Sequence, residues 1–443
     1  MRGANNRGFG FWTLTFLVVA NMVGAGVFTT SGFTLVSLGD PWLVMLAWLV
    51  AGAIALCGAF SYGLLVKQMP VSGGEYAFLS SSGFPFVGFV AGWVSLLAGF
   101  SGAIAYAALA FEEYLPGDLP HKLPAVIVVV LGALTHGGKR AVGALTQNIA
   151  VGLKLTLLAV LLSYGTWCMV SLEWQNTAPR SPADGSIILN FAQALIWISL
   201  SYSGFNAAVY IAGESKSSHV VAKSLIAGTS IVILFYLMLN GLFVLAPPKE
   251  VVLGQADVAA LAAGWIGGGR FENFVRFVIL LALLTSVLSM MMAGPRVYGK
   301  MAGDGLLPKF FVLQGKKVWP AVSLQMGVAL ILIFFRNLQL KNMRRAQSPK
   351  SVKNGPSASL LQLSLGLKNF QKGKVKRQDS IQPSVTGRIA TPLLPAITFF
   401  LCQIHRNATP LSAALPKDMH GRTPRRQLHG PKIFKTRQYG TNL

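Results

Sequence analysis

The sequence predicts an all-α polytopic membrane protein arranged as an inverted-repeat helix bundle. Three observations predict it. Of the 443 residues, 53% are hydrophobic and only 12% charged, against about 25% charged in soluble domains, and the mean hydropathy is +0.55. Apolar runs of spanning length recur up to residue 335. Two of them, the first and the sixth, are interrupted near their centres by small and polar residues.

In order, the runs are 9–38, 42–66, 84–111, 123–138, 142–171, 187–213, 222–246, 274–297 and 319–335. A helix needs roughly 20 apolar residues to cross the hydrocarbon core; the fourth and ninth runs are short. Polar, Gly- and Pro-containing connectors such as PVSGGEY (70–76) and NTAPRSPADGS (176–186) separate them. With the N-terminus inside, alternate loops hold twelve Lys and Arg inside and five outside, the orientation that cytoplasmic accumulation of basic residues favours. An alternative reads Arg2, Arg7, the apolar stretch 9–23 and the small residues GAG as a cleaved signal peptide. Apolar character resumes at Val27–Phe28, however, and cleavage would put the following loops on the wrong side of the charge count.

The first run contains NMVGAGVFTTSG (21–32). Glycine costs about 1 kcal/mol relative to alanine in a helix interior, and an interrupted backbone inside a bilayer must face protein, water or a ligand. In many secondary transporters such breaks form the substrate site and occur in matching positions of two inverted repeats. Here the sixth run carries a counterpart, Tyr202-Ser203-Gly204-Phe205-Asn206, five helices later. Close helix packing explains a single small residue equally well; two matched breaks favour a five-plus-five repeat.

Four motifs then resemble one family. GAGVFTTSG (24–32), PVSGGEYAFL (70–79), SYSGFNAAVYIAGE (201–214) and MAGPRVYGKMAGDGLLPKFF (292–311) are similar, in the same order, to signatures of the amino acid–polyamine–organocation permeases. The resemblance implies a LeuT-type fold, alternating access and an amino acid or related amine as substrate. It implies a carboxylate site on the backbone of Gly24, Ala25, Gly26 and Val27, completed around Tyr202, Ser203, Gly204 and Phe205. An aromatic gate expected two residues before Tyr202 is replaced by Leu200, so Phe205 or Tyr202 would have to cover the site. Lys154, inside the fifth run, is an ionisable group at membrane depth and so a functional candidate by default. In some permeases of this family a lysine there takes the place of a sodium ion, beside positions matching Thr285 and Ser286. Proton or sodium is then the expected coupling ion. If the helix begins near Gly152, Lys154 instead snorkels to water. Glu75 and Glu214 are inner-side acids with Arg296 and Lys300 as candidate partners; Glu112 and Glu113 read as a solvated face.

No enzymatic or cofactor constellation emerges. GAGVFT has no strand before it and fails as a dinucleotide fingerprint. The six histidines and the three cysteines, Cys57, Cys168 and Cys402, lack metal or disulfide spacing. The expected partners are a small-molecule amino acid and the lipid bilayer. The expected location is the plasma (cell inner) membrane, with the N-terminus cytoplasmic.

The formal charge of +24 divides unevenly: residues 1–335 carry 18 Lys and Arg against 12 acids, residues 336–443 carry 20 against 2. The change falls inside the ninth run, at FFRNLQLKNMRR (334–345), with the pattern of a shifted reading frame, retained intron or altered 3′ exon. Three parts are expected: a cytoplasmic N-terminus (1–8), a permease core of eight to nine helices (9–335) and a basic disordered tail (336–443). After nine spans this tail lies outside, against the charge rule; after eight it lies inside and meets anionic lipid. Basic composition without a folded motif does not indicate a nucleic-acid partner. A second repeat truncated before its fifth helix leaves a flank uncovered. The alternative function is therefore a transport-defective or dominant-negative membrane protein.

Overall fold

Each expected apolar run forms helix, and small residues mark the breaks in the first and sixth spans. The computed structural model describes residues 8–117, 119–138, 140–170, 186–313 and 318–346. The first span is split into α1 (Phe11–Met22) and α2 (Gly26–Leu38), and α2 ends on a left-handed Gly39. Asp40 accepts the Trp42 N–H at 2.7 Å and Pro41 occupies the first turn of α3 (Pro41–Gln68), a combination that pre-organises a helix start. After α4 (Gly74–Ser81), the third span runs from α5 (Pro85–Val94) through a π-helical stretch, Ser95–Gly102, into α6 (Ala103–Tyr114). The fourth and fifth spans are α7 (Leu123–Gly137) and α8 (Arg140–Val170).

The sixth span is broken like the first. Helix α9 (Ile187–Ser201) ends in turns over 202–206, and a 3-10 helix, Ala207–Glu214, continues it. Then follow α10 (Ser218–Asn240) with a π-helical end, the short α11 (Lys249–Val252), α12 (Val258–Gly303) and α13 (Trp319–Ala346). This is the LeuT-type layout through the ninth span. Six spans have the length and hydropathy of membrane crossings, while Leu123–Gly137, Ile187–Ser201 and Trp319–Phe335 are shorter apolar helices. Helix α13 continues through the residues where the charge pattern changes; the rest of the expected tail, from 347 onward, lies outside the described residues, as does most of 1–8.

Two expectations need correction. The eighth run, read as 274–297, belongs to a helix of 46 residues that breaks at Gly268 (φ 73°) into an outer part and a spanning part. Before the break the helix reads VAALAAGWIG and is apolar; just after it Arg276 reaches Asp257, the residue before the helix, at 2.8 Å and Glu272 at 2.9 Å. Glu112, read as solvated, accepts the Lys122 backbone N–H with both oxygens (2.9 and 3.0 Å) and ties the end of α6 to the start of α7.

Packing centres on α1, which lies against α8, α10 and α12, while α10 runs along α3 and α12 contacts α6, α7 and α8. Helix α9 packs on α2 and α3 and leaves Ile188, Leu189, Ile196 and Leu200 exposed, whereas α1 exposes a single large apolar side chain, Trp12. At the inner end, Phe9 forms a parallel bridge with Ser215. Beside it Arg296, 4% exposed, grips Glu214 with Nε and Nη2 at 3.0 and 3.1 Å. Removing one partner of such a buried pair strands the other charge. Arg296→Met is therefore expected to destabilise the protein by about 3 kcal/mol, read as a fall in thermal midpoint in detergent. Adding Glu214→Gln should recover part of that loss.

Candidate functional site

The two breaks meet. A Cβ on Gly26 would come within 2.8 Å of the Ser201 Cβ, and Gly204 (φ 104°) lies so close to Asn21 that a Cβ there would be 2.9 Å from its backbone carbon. Thr30 and Ser201 share a hydrogen bond of 3.0 Å between their hydroxyls. Glycine at 26 and 204 thus serves the approach of two non-helical backbones, and at 204 a left-handed turn as well.

The broken ends expose backbone groups that need partners. At the end of α1, the Met22 carbonyl accepts from the Gly24 N–H (2.9 Å) and from the Tyr236 hydroxyl (2.6 Å). The same hydroxyl lies 3.0 Å from the carbonyl of Ser201, the last residue of α9. One α10 tyrosine therefore joins the carbonyl ends of both half-helices. The next carbonyl, Val23, accepts from Lys154 Nζ at 3.3 Å. Lys154 is fully buried and stands 14 residues into a helix that begins at Arg140, about 21 Å at 1.5 Å per residue, beyond the reach of snorkelling.

Gly24 faces α12, with the Ser286 hydroxyl 3.6 Å from where its Cβ would be. Thr285 is fully buried and turns its hydroxyl onto its own helix, at the Ala282 carbonyl (2.9 Å). In the first-span break, Ala25 and Val27 are buried while Gly24 and Gly26 keep some accessible surface. The start of α2 lies at this break, and a helix N-terminus offers N–H donors and a positive dipole end to an anion.

The remaining sixth-span residues are arranged differently. Tyr202 is buried and donates to the Trp48 carbonyl at 3.1 Å. Its ring packs with Trp48 and Tyr236 at 5.6 and 4.9 Å between centroids. Phe205 turns toward α3, edge-on to Tyr62 at 5.9 Å. Leu200 and Ser203 are exposed. Trp48 Nε1 donates to Ser31 (2.9 Å), Ser31 donates to the Asn240 side-chain carbonyl, and Asn240 donates to the Tyr236 carbonyl (2.8 Å). This buried chain fixes Tyr236 from behind.

The inner acids separate. Glu214 takes Arg296 as expected; Lys300 pairs with Asp304 at 2.6 Å. Glu75 accepts from Tyr62 and Asn206 instead. No group of metal-binding side chains occurs among the described residues. The sequence reading missed Tyr236, whose only signal was a hydroxyl inside the apolar run VILFYLML.

Residues 9–354 match the pattern of the amino acid permease family. A serine/threonine exchanger of Bacillus subtilis is 25% identical over 337 residues, covering 72% of this chain and 75% of that protein. Solute carrier family 7 member 13 of Mus musculus is 27% identical, covering 74% of this chain and 71% of that protein. An arginine/agmatine antiporter of Chlamydia felis is 24% identical, with 74% and 72% covered. Among solved structures, a nucleobase-cation-symport-1 family transporter aligns with a TM-score of 0.46 and 14% identity over 76% of this chain and 77% of that one.

Two substitutions test the site. Tyr236→Phe removes the hydrogen shared by Met22 and Ser201 and leaves buried carbonyls unserved, at about 1–3 kcal/mol; the variant is expected to fold and to lose most of its turnover in a reconstituted assay. Gly204→Ala forces a side chain into a left-handed position and is expected to cost about 1–3 kcal/mol, seen as a lower thermal midpoint than that of Gly24→Ala, whose Cβ meets no close neighbour.

Proposed function

This chain belongs to the amino acid permease family, and from that premise we propose that it carries amino acids by alternating access, with Lys154 as the coupling group. The observation that carries the proposal is the Lys154 ammonium on the Val23 carbonyl, at the break of the first span. A cation at this point neutralises the carbonyl end of α1, and a proton on lysine does so without sodium. A lysine that loses its proton loses the charge that strengthens its bond to Val23, which links proton movement to the shape of the break.

The substrate carboxylate is assigned to the backbone around Gly24, Ala25, Gly26 and Val27, with the N–H groups after Gly24 as donors at the positive end of α2. The ammonium is assigned to the carbonyl end of α9, where Tyr202, Ser203 and Gly204 turn the chain. Because backbone holds both charged groups, side-chain selectivity falls to the surrounding walls. Relatives named as exchangers and antiporters support transport over the transport-defective alternative. The proposed setting is the plasma membrane with the N-terminus cytoplasmic, where the basic loops lie.

Reconstitution decides between the readings. Proteoliposomes containing the full chain are expected to show saturable uptake of labelled amino acids that changes with an imposed pH gradient and not with sodium. Lys154→Ala should retain binding but lose the pH dependence. Saturable uptake that needs sodium, or that keeps its pH profile in Lys154→Ala, rejects Lys154 as the coupling group; absence of saturable uptake in correctly inserted protein rejects transport by this chain.

A further inference from the structure

Glu75 is an inner-side carboxylate with surroundings unlike those of Glu214. Two consecutive left-handed glycines, Gly73 (φ 119°) and Gly74 (φ 59°), lay the start of α4 against the inner half of the sixth span. A Cβ on Gly74 would overlap the Tyr210 ring. The Gly73 N–H donates to the Tyr210 carbonyl (3.2 Å) and the Gly213 N–H to the Ser72 hydroxyl (3.0 Å). Backbone bonds thus join 72–74 to 207–214 as one unit.

From this unit Glu75 reaches both the break and the neighbouring helix. Its Oε1 accepts from Asn206 Nδ2, at the end of the break, and from the Tyr62 hydroxyl of α3 at 2.8 Å. Asn206 Nδ2 also donates to the Tyr210 hydroxyl at 3.1 Å. Oε2 is buried and has no hydrogen-bond partner among the described residues. The two cations expected as its partners are paired with other acids, Lys300 with Asp304 and Arg296 with Glu214.

We propose that Glu75 is a positioning residue, the latch by which α3 holds the sixth-span break, and that the Tyr62–Glu75 bond opens when the inner half of that span moves. The proposal rests on the transport reading above. A permanent anchor uses both carboxylate oxygens and a cation, as Glu214 does. Glu75 uses one oxygen and neutral donors, which water can replace once the joint opens. The charge on the acceptor makes the bonds firm while they last, and the unserved oxygen gains water on opening. Phe205 against Tyr62 adds an apolar contact with no directional bond to break.

The test uses Tyr62→Phe, which keeps the ring and removes one hydrogen, and Glu75→Gln, which keeps an acceptor and removes the charge. In the full chain in lipid nanodiscs, both variants are expected to speed amide hydrogen exchange across 202–214. In oriented proteoliposomes both should raise the outer-side KM and lower the inner-side KM, shifting their ratio about three- to tenfold, with the double variant no worse than Tyr62→Phe alone. Unchanged exchange across 202–214 overturns the latch. So does a lower thermal midpoint with an unaltered KM ratio, which marks a purely structural contact. If the parent chain shows no saturable uptake, the transport reading falls and the exchange rates alone decide the latch.

Discussion

A helix interrupted inside a bilayer must satisfy its freed backbone groups from within the protein, and the rest of this structure follows from that requirement. The break in the first span frees the carbonyls of Met22 and Val23; a tyrosine hydroxyl takes one and a lysine ammonium the other. The break in the sixth span frees the carbonyl of Ser201, and the same tyrosine takes it. Because Tyr236 and Lys154 stand on different helices, α10 and α8 must both pack against α1, as they do. The chain from Trp48 through Ser31 and Asn240 then keeps Tyr236 in place. Gly26 lets the start of α2 approach Ser201 at the end of α9, where a Cβ would collide with the serine side chain.

Much of this was legible in the sequence, because membrane burial suppresses polar and small residues unless something requires them. Gly24, Gly26 and Gly204 stood out for that reason, and so did Lys154. The Arg296–Glu214 pair was legible because both residues lie in inner-side motifs. What stayed hidden depends on three-dimensional neighbours. Tyr236 reads as one more aromatic in an apolar helix until its hydroxyl is seen between two carbonyls. Glu75 invited a basic partner, yet the two cations expected there are paired with other acids. The eighth run was read as starting at 274, whereas its helix starts at Val258, and only folding brings Asp257 to Arg276. Ser203 lies in a signature motif and Leu200 at the position expected to carry a gate, yet both are exposed, Ser203 in the turns that follow α9.

The two repeats are matched in their breaks and unequal in their cover. Helix α1 is enclosed by α8, α10 and α12, while its counterpart α9 keeps one face of large apolar side chains exposed. Restraint on the sixth span accordingly comes from α2, α3, the Tyr236 hydroxyl and the inner joint formed by α4, Glu214 and the Phe9 bridge. The elements that hold the residues after the sixth-span break are short and polar, in contrast to the long apolar contacts that hold α1.

The shared hydroxyl of Tyr236 has an arithmetic of its own. A phenol has one hydrogen, and two carbonyls claim it, at 2.6 and 3.0 Å. Neither claim is complete, so tilting one half-helix away hands the hydrogen wholly to the other. The tyrosine behaves like the arm of a balance: it loads one broken helix as it unloads its twin, and the two breaks are kept from letting go together.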